Sequence, residues 1–454
     1  MHGLSNDEKK VCEGLLTVEE CTEALKRMKT NRSPGHDGLT TEFYRCFWDE
    51  VKELVTDSLN EGLENGELSF SQKRGTIKLI YKKGDKTILD NYRPITLLNY
   101  DYKICTTVLA NRMQNVLDSI ISENQCGYVK GRFIGQNIRI IEDVINYCNN
   151  LDTENAIIFL DFQKAFDCLE INFLIKCLHR IGFGPQFIKW VQTIYNDIES
   201  CISVDGWLSE SFKLQRGIRQ GCPLSALLFI TAAEFMTLNI ENNDTIHGVM
   251  FENKPEMHIK IAQLADDTTI FVRNMTSVNN VMQEIERFSA VSGIRLNKQK
   301  TEGMWLGKNK PRNLNPDLKW TDNPVKCLGI YFGRDKKRVE DLNWNTKISK
   351  LQDVLKSWKA RRLTYYGKLT IIKSIGISQI LYNASSLHVP EYVIKKVNTE
   401  IFQFLWSSGR EKVKRSTVIS DTESGGLKMV NLKTQTQALN TTLKTKISIY
   451  YMPY

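Results

Sequence analysis

The 454-residue sequence contains no Cys-x-x-Cys pair and no cluster of Cys and His at zinc-ligand spacing, although it holds 11 cysteines. Scattered cysteines in odd number supply neither a disulfide framework nor a structural zinc site. They read as buried or free thiols of a reducing compartment. Long apolar runs are also lacking. The longest nearly apolar stretch, 226–236, falls well short of the ~20 residues of a membrane-spanning helix. The opening MHGLSNDEKK has no apolar centre of a signal peptide. Internal repeats and low-complexity tracts are absent too. These absences leave the expectation of an intracellular chain, soluble or bound in a nucleoprotein, with nucleus and cytoplasm undistinguished.

What is present suits a globular protein with a sizeable core: 41% hydrophobic and 9% aromatic residues. The length allows two to four domains of roughly 150 residues. The net charge of +9 is unevenly spread. Residues 334–454 carry 22 Lys/Arg against 9 Asp/Glu, whereas 1–333 carry 39 against 43. The basic C-terminal part is either the seat of a polyanion partner or a solvated lysine-rich helical face.

Periodicity gives an α+β chain. Thr17, with Glu20 three residues on, opens a helix that runs to Met28. A second helix pattern covers 42–63. Residues 76–81 alternate like a strand. Ile104, Val108, Met113, Val116 and Ile120 mark a further helix, as do Ile138, Ile141, Val144, Ile145 and Cys148. AIIFL, 156–160, is a continuous apolar run of the kind found in buried strands, and it ends at Asp161. HIKIAQLADDTTIFVRN, 258–274, reads as strand, acidic turn, strand. After Gly333 the pattern turns helical, with Trp344, Ile348, Leu351, Leu355 and Trp358 on one stripe among lysines.

Chemistry concentrates in two places: Asp161 at a strand end, and Asp266-Asp267 in a tight turn between apolar segments. Adjacent carboxylates repel and raise each other's pKa unless a cation lies between them. A hard divalent cation shared with substrate phosphates would relieve that cost. Alternatively, an isolated Asp-Asp pair is a polar hairpin turn.

The neighbouring residues resemble the reverse transcriptases of LINE-type (non-LTR) retrotransposons, block by block and in order. Ser33-Pro34-Gly35-His36-Asp37-Gly38 with Glu42-Phe43-Tyr44 resembles the family's N-terminal extension, with His36 where Pro is usual. Tyr81-Lys82-Lys83-Gly84 and Asn91-Tyr92-Arg93-Pro94-Ile95 resemble the fingers motifs. Gln125-Cys126-Gly127-Tyr128 with Gly131-Arg132 resembles the next block. Asp161 to Asp167, Arg216 to Ser225, Leu264 to Asp267, and Ser292-Gly293 through Lys300-Thr301 resemble the four palm motifs. Cys327-Leu328-Gly329-Ile330 resembles the primer grip. Phe404-Leu405-Trp406 and Gly425 to Met429 resemble the thumb and post-thumb region.

The resemblance implies a right-hand polymerase fold: fingers, a palm with an antiparallel sheet, and a helical thumb. It divides the chain into an N-terminal extension (1–61), fingers and palm (62–333), and a basic thumb and post-thumb region (334–454). It implies an RNA-directed DNA polymerase that uses two Mg2+ ions, with an RNA template, a DNA primer and dNTPs as partners and no membrane. The implied metal ligands are Asp161, Asp266, Asp267 and the carbonyl of Phe162. Lys82 and Arg93 would meet the triphosphate. Phe166 would pack on the sugar, Gln220 and Gly221 would lie along the nucleotide and templating base, and Lys300 would protonate pyrophosphate. Asp167 matches a position that is not a ligand. Ala226 stands where Pro is usual, which costs rigidity, and Leu264 replaces an aromatic near the primer. Segment 1–61 is too short for an endonuclease and no RNase H carboxylate set follows the thumb, so the sequence reads as a polymerase module. The alternative is a decayed fragment that binds nucleic acid without catalysis. An RNA-dependent RNA polymerase is disfavoured by the bulk of Phe166.

Overall fold

The structure, a computed structural model, describes residues 3–149, 154–251, 254–307, 310–311 and 313–447. They form two compact units interleaved along the chain. The first takes in 1–132, 160–248 and 259–301, and the second 133–159, 249–258 and 302–454. Helices and sheets occur in both, as an α+β chain requires. All 11 cysteines are free thiols. Among the described residues no helix is long and apolar enough to cross a membrane.

In the first unit the expected helix start is found. Thr17 caps Val18–Arg27 in a capping box with Glu20. The loop before it is fastened by the buried Arg112 of the helix Tyr100–Gln114, which donates to the carbonyls of Gly14 at 2.9 Å and Leu15 at 2.7 Å and pairs with Glu20 at 2.6 Å. The pattern over 42–63 is two helices rather than one, Thr41–Cys46 and Trp48–Asn65. Phe47, at φ −109° and ψ 20°, leaves the helical region between them. The break brings Trp48 inward, where its Nε1 donates to Thr22 Oγ1 at 2.8 Å. Tertiary packing thus overrides a continuous helical pattern.

A mixed sheet follows. Arg74–Tyr81 pairs antiparallel with Tyr92–Leu98, setting Ile80 opposite Arg93, and parallel with Glu199–Val204. Trp207–Leu208 and Phe212–Lys213 each add antiparallel to Glu199–Val204. The helix Ser225–Glu241, apolar on nearly every side, is the unit's central helix and packs against Ile171–Ile181 and Met275–Ser292. Strands Ile261–Leu264 and Asp267–Val272 form a tight antiparallel hairpin.

The apolar run 156–160 lies in the wholly buried strand Asn155–Leu160, which through Phe159 belongs to the second unit and pairs antiparallel with Glu302–Leu306. Val325–Cys327 and Ile330–Phe332 form a hairpin whose turn residues, Leu328 and Gly329, both have positive φ. The Tyr382 hydroxyl donates to the Leu328 carbonyl. The helix Lys336–Lys359 buries Trp344, Ile348, Leu351 and Leu355 against Ser378–Ala384 and Glu391–Leu405. Each such side chain contributes about 1.5–3 kcal/mol. Trp358 departs from the expected stripe. It is only half-buried, and its ring is covered by the Arg361 guanidinium at 4.2 Å.

Candidate active site

The register sets Leu264 opposite Asp267 and leaves Ala265 and Asp266 as a two-residue turn. Ala265 has φ +58°. Hairpin turns with positive φ at the first central residue usually place glycine there. Holding a residue with a Cβ in that region costs of order 1–3 kcal/mol. The turn presents two exposed carboxylates in succession, Asp266 in the turn and Asp267 on the first residue of the second strand.

Asp161 belongs to the same unit. Its N–H donates to Thr301 Oγ1 at 3.2 Å, and its carbonyl accepts from the Asn297 N–H at 2.7 Å. Phe162, the next residue, pairs with Leu296 in a short ladder. The main chain at Asp161 is therefore held by the loop that carries Lys300, whose own N–H donates to the Asn297 carbonyl at 3.1 Å.

Electrostatics tie the carboxylates together. Crowding by protein, then the charge of Asp161, raises Asp266 above the usual carboxylate range. Arg93 and Lys82 pull it back down. Asp267 is pushed up to about 6 by desolvation and by the charges of Asp266 and Asp161. The charge of Asp161 thus penalises ionisation of both Asp266 and Asp267, a donor set that a divalent cation would relieve. Among the described residues no three Asp, Glu, His or Cys side chains cage an ion unaided.

Two of the other expected residues are tied electrostatically to this centre, and the rest lie in the same unit. Lys82, just past the strand Arg74–Tyr81, and Arg93, on the strand Tyr92–Leu98, are exposed, and their charges reach Asp266. Phe166 is half-buried, one face stacked on Phe229 at 4.5 Å between ring centroids and 12° between planes. Its carbonyl accepts from the Ile218 N–H at 2.7 Å. The Gln220 carbonyl accepts from the Thr96 N–H at 2.7 Å, and Gly221 follows at φ +127°. A Cβ at 221 would sit 2.3 Å from the Thr96 carbonyl oxygen, so only glycine fits. Lys300 is exposed, and its charge acts on Asp90, which also pairs with Lys164 at 3.0 Å.

Sequence reading gave no role to Tyr128. Burial and the Asp266 charge raise its phenol pKa while Arg93 lowers it, so the ring stands near both. The segment before it runs beside the acidic hairpin. The Cys126 N–H donates to the Gln263 carbonyl, and the Gln263 N–H to the Asn124 carbonyl, both at 2.8 Å. The Gln-x-Gly-Tyr block was the available signal, but its partners lie far off in sequence.

A family model described as reverse transcriptase (RNA-dependent DNA polymerase) matches residues 80–332, more than half of the chain and the stretch that holds every residue just placed. The chain belongs to the reverse transcriptase family. Its relatives are the non-LTR retrotransposon proteins that the motifs implied. The transposon TX1 uncharacterized 149 kDa protein of Xenopus laevis is 31% identical over 95% of this chain and 33% of its own length. The Pol polyprotein of the type-2 element R2DM of Drosophila melanogaster is 25% identical over 90% of this chain and 38% of its own. The RNA-directed DNA polymerase of the mobile element jockey, also from D. melanogaster, is 24% identical over 81% of this chain and 41% of its own. This reverse transcriptase chain therefore spans well under half the length of those three relatives. Among solved structures, a telomerase from Candida albicans aligns over 87% of this chain and 69% of its own with TM-score 0.46 and 12% identity, too low to carry an argument. Reverse transcriptases work with divalent metal ions.

Proposed function

We propose that the chain is the polymerase of a non-LTR retrotransposon, extending a DNA primer on an RNA template. The observation that carries this reading is that the charge of Asp161 bears on both Asp266 and Asp267, with Arg93 and Lys82 acting on Asp266. Nucleotide addition is an in-line attack of a primer hydroxyl on the α-phosphorus of a dNTP. Positioning and charge neutralisation supply most of its acceleration. In this reading Asp161 and Asp266 would hold two Mg2+ ions, with Asp267 and the Phe162 carbonyl assisting. When bound, the ions lower the pKa of the attacking hydroxyl and steady the leaving pyrophosphate.

The remaining residues orient the substrate. Lys82 and Arg93 receive the triphosphate, Arg as a planar fork and Lys as a point charge. Phe166, with one ring face committed to Phe229, offers its edge to the sugar and excludes a 2′-hydroxyl. The backbone at Gln220-Gly221 lies against nucleotide and template, and Lys300 delivers a proton to pyrophosphate. The division into 1–61, 62–333 and 334–454 as extension, fingers and palm, and thumb belongs to the same proposal. The test is primer extension on poly(rA) with oligo(dT), dTTP and Mg2+. Template binding without any extension would leave a nucleic-acid-binding fragment in place of a polymerase.

A further inference from the structure

Asp266 follows directly on a residue in a costly conformation, and one buried side chain grips that residue. Gln125, 1% exposed, accepts the Ala265 N–H on its Oε1 at 2.8 Å. Its Nε2 reaches the Ala265 carbonyl at 3.4 Å. The same Oε1 accepts the Gly127 N–H at 2.7 Å. One carboxamide thus addresses both polar groups of the Ala265 main chain from 140 residues away in sequence. Buried hydrogen bonds of this kind fix geometry, because leaving their partners unpaired costs about 1–3 kcal/mol each.

The approach is possible only because residue 127 has no side chain. A Cβ there would lie 2.6 Å from the Ala265 nitrogen and 2.8 Å from Gln125 Oε1. Gln125 is itself anchored. Its carbonyl accepts from Arg132 Nη1 at 2.8 Å, its N–H donates to the Ser122 carbonyl at 3.2 Å, and Arg132 is held in turn by Asp118 at 2.9 Å. On the other side of the turn, Thr268 Oγ1 donates to the Asp266 carbonyl at 3.4 Å and accepts from Gln263 Nε2 at 3.2 Å.

We propose that Gln125 is a positioning residue for the acidic turn: its carboxamide holds Ala265 at positive φ and so fixes where the Asp266 carboxylate points. Without that grip the turn relaxes toward conformations an alanine prefers, and Asp266 loses its alignment with Asp161. The inference rests on the polymerase reading for its kinetic consequence, and on hydrogen-bond geometry for its structural one.

The test uses the full chain in primer extension with a Mg2+ titration, and Mn2+ binding followed by electron paramagnetic resonance without nucleic acid. Gln125→Met keeps the volume and removes the carboxamide. It is expected to lower kcat roughly 10–100-fold, the usual scale for residues that orient metal ligands. It should also raise the midpoint of Mg2+ activation and leave the KM for dTTP within about two-fold of the parent's. Adding Ala265→Gly, which adopts positive φ freely, should recover about five-fold or more of kcat. Gln125→Glu keeps both accepted N–H bonds and should retain several-fold more activity than Gln125→Met, a contrast that survives even if Gln125→Met folds poorly. A Gln125→Met enzyme with parental kcat and metal midpoint overturns the inference. So does a loss that Ala265→Gly deepens, since Gln125 would then serve the 124–128 segment rather than the turn. An inactive parent whose Mn2+ affinity nevertheless falls on Gln125→Met would sink the polymerase reading alone.

Discussion

Gln220 Nε2 donates to Asp167 Oδ1 at 3.1 Å. Burial raises the Asp167 carboxyl, and this hydrogen bond from Gln220 partly offsets the rise. The acidic residue six positions after Asp161 is therefore engaged in holding the Arg216–Ser225 segment. Two aspartates from one motif have separate tasks, one facing Asp266 and Asp267 electrostatically and one tied to Gln220.

Substitution should separate those tasks. Asp161→Ala or Asp266→Ala is expected to reduce single-nucleotide incorporation below roughly one-thousandth of the parent rate, with template binding nearly intact. Asp267→Ala should be less severe. Asp167→Asn keeps an oxygen for Gln220 and should retain most of the rate. Rapid-quench incorporation beside filter binding reads all four. Robust extension by Asp266→Ala would contradict metal-assisted phosphoryl transfer at this turn.

Phe166→Ala should relax sugar selection. Removing the ring opens space for a 2′-hydroxyl and leaves the carboxylates untouched, while Phe229 loses its stacked partner. The measurement is the ratio of incorporation efficiencies for dTTP and UTP. An unchanged ratio would show that the ring only packs on Phe229.

Residues 334–454 are proposed to grip the primer–template duplex through its phosphates. On the helix Lys336–Lys359, burial and the nearby charges of Lys350 and Lys326 lower the Lys347 pKa. A polyanion would relieve such a cluster. Affinity should fall with salt at a log–log slope of about 0.7 to 0.9 per phosphate neutralised. Replacing Lys347, Lys350, Arg361 and Arg362 by Gln should flatten the slope and shorten products, with single-nucleotide chemistry nearly unchanged. A variant slope equal to the parent's would mean that the duplex is held elsewhere.

Glu234 gives a pH-dependent stability. It is buried in the central helix Ser225–Glu241, where desolvation pushes its carboxyl up to about 7 despite hydrogen bonds from the Ser122 N–H and hydroxyl. A folded-state pKa above the ordinary 4.5 of a glutamate means that the stabilising effect of protonation is fully present below about 4.5 and is lost as pH rises through 7. The rise corresponds to on the order of 3 kcal/mol. Glu234→Gln keeps an acceptor for Ser122 and removes the buried charge. It should raise the unfolding midpoint at pH 8 and change it little at pH 5. Denaturant titrations at the two pH values check this, and an equal shift at both would exclude titration of Glu234 as the cause.

Short-range patterns carried much of the fold. The capping box at Thr17, the buried strand ending at Asp161, the acidic hairpin and the stripe from Trp344 to Leu355 all rest on neighbours within a few residues. The site carboxylates were legible for the same reason, since apolar flanks frame them. The break at Phe47 was not, because no Gly or Pro interrupts the helical period and only Trp48 packing on Thr22 makes it favourable. Trp358 fitted the stripe by spacing, yet a guanidinium covers it. The grips of Arg112 on Gly14 and Leu15 and of Gln125 on Ala265 join residues about a hundred or more positions apart, and no periodicity encodes such pairs.

The contact between Gly221 and Thr96 has a mechanical consequence. The Thr96 N–H bonds the Gln220 carbonyl, and the missing Cβ at 221 lets the two backbones touch. Thr96 lies on the same strand as Arg93, three residues along. On the proposed role of Arg93 at the triphosphate, a tilt of that strand would carry Gln220 and Gly221 with it. Under the same proposal the two ends of one nucleotide would be felt through one lever, and a base that seats badly would be registered as a displaced triphosphate before any bond is made.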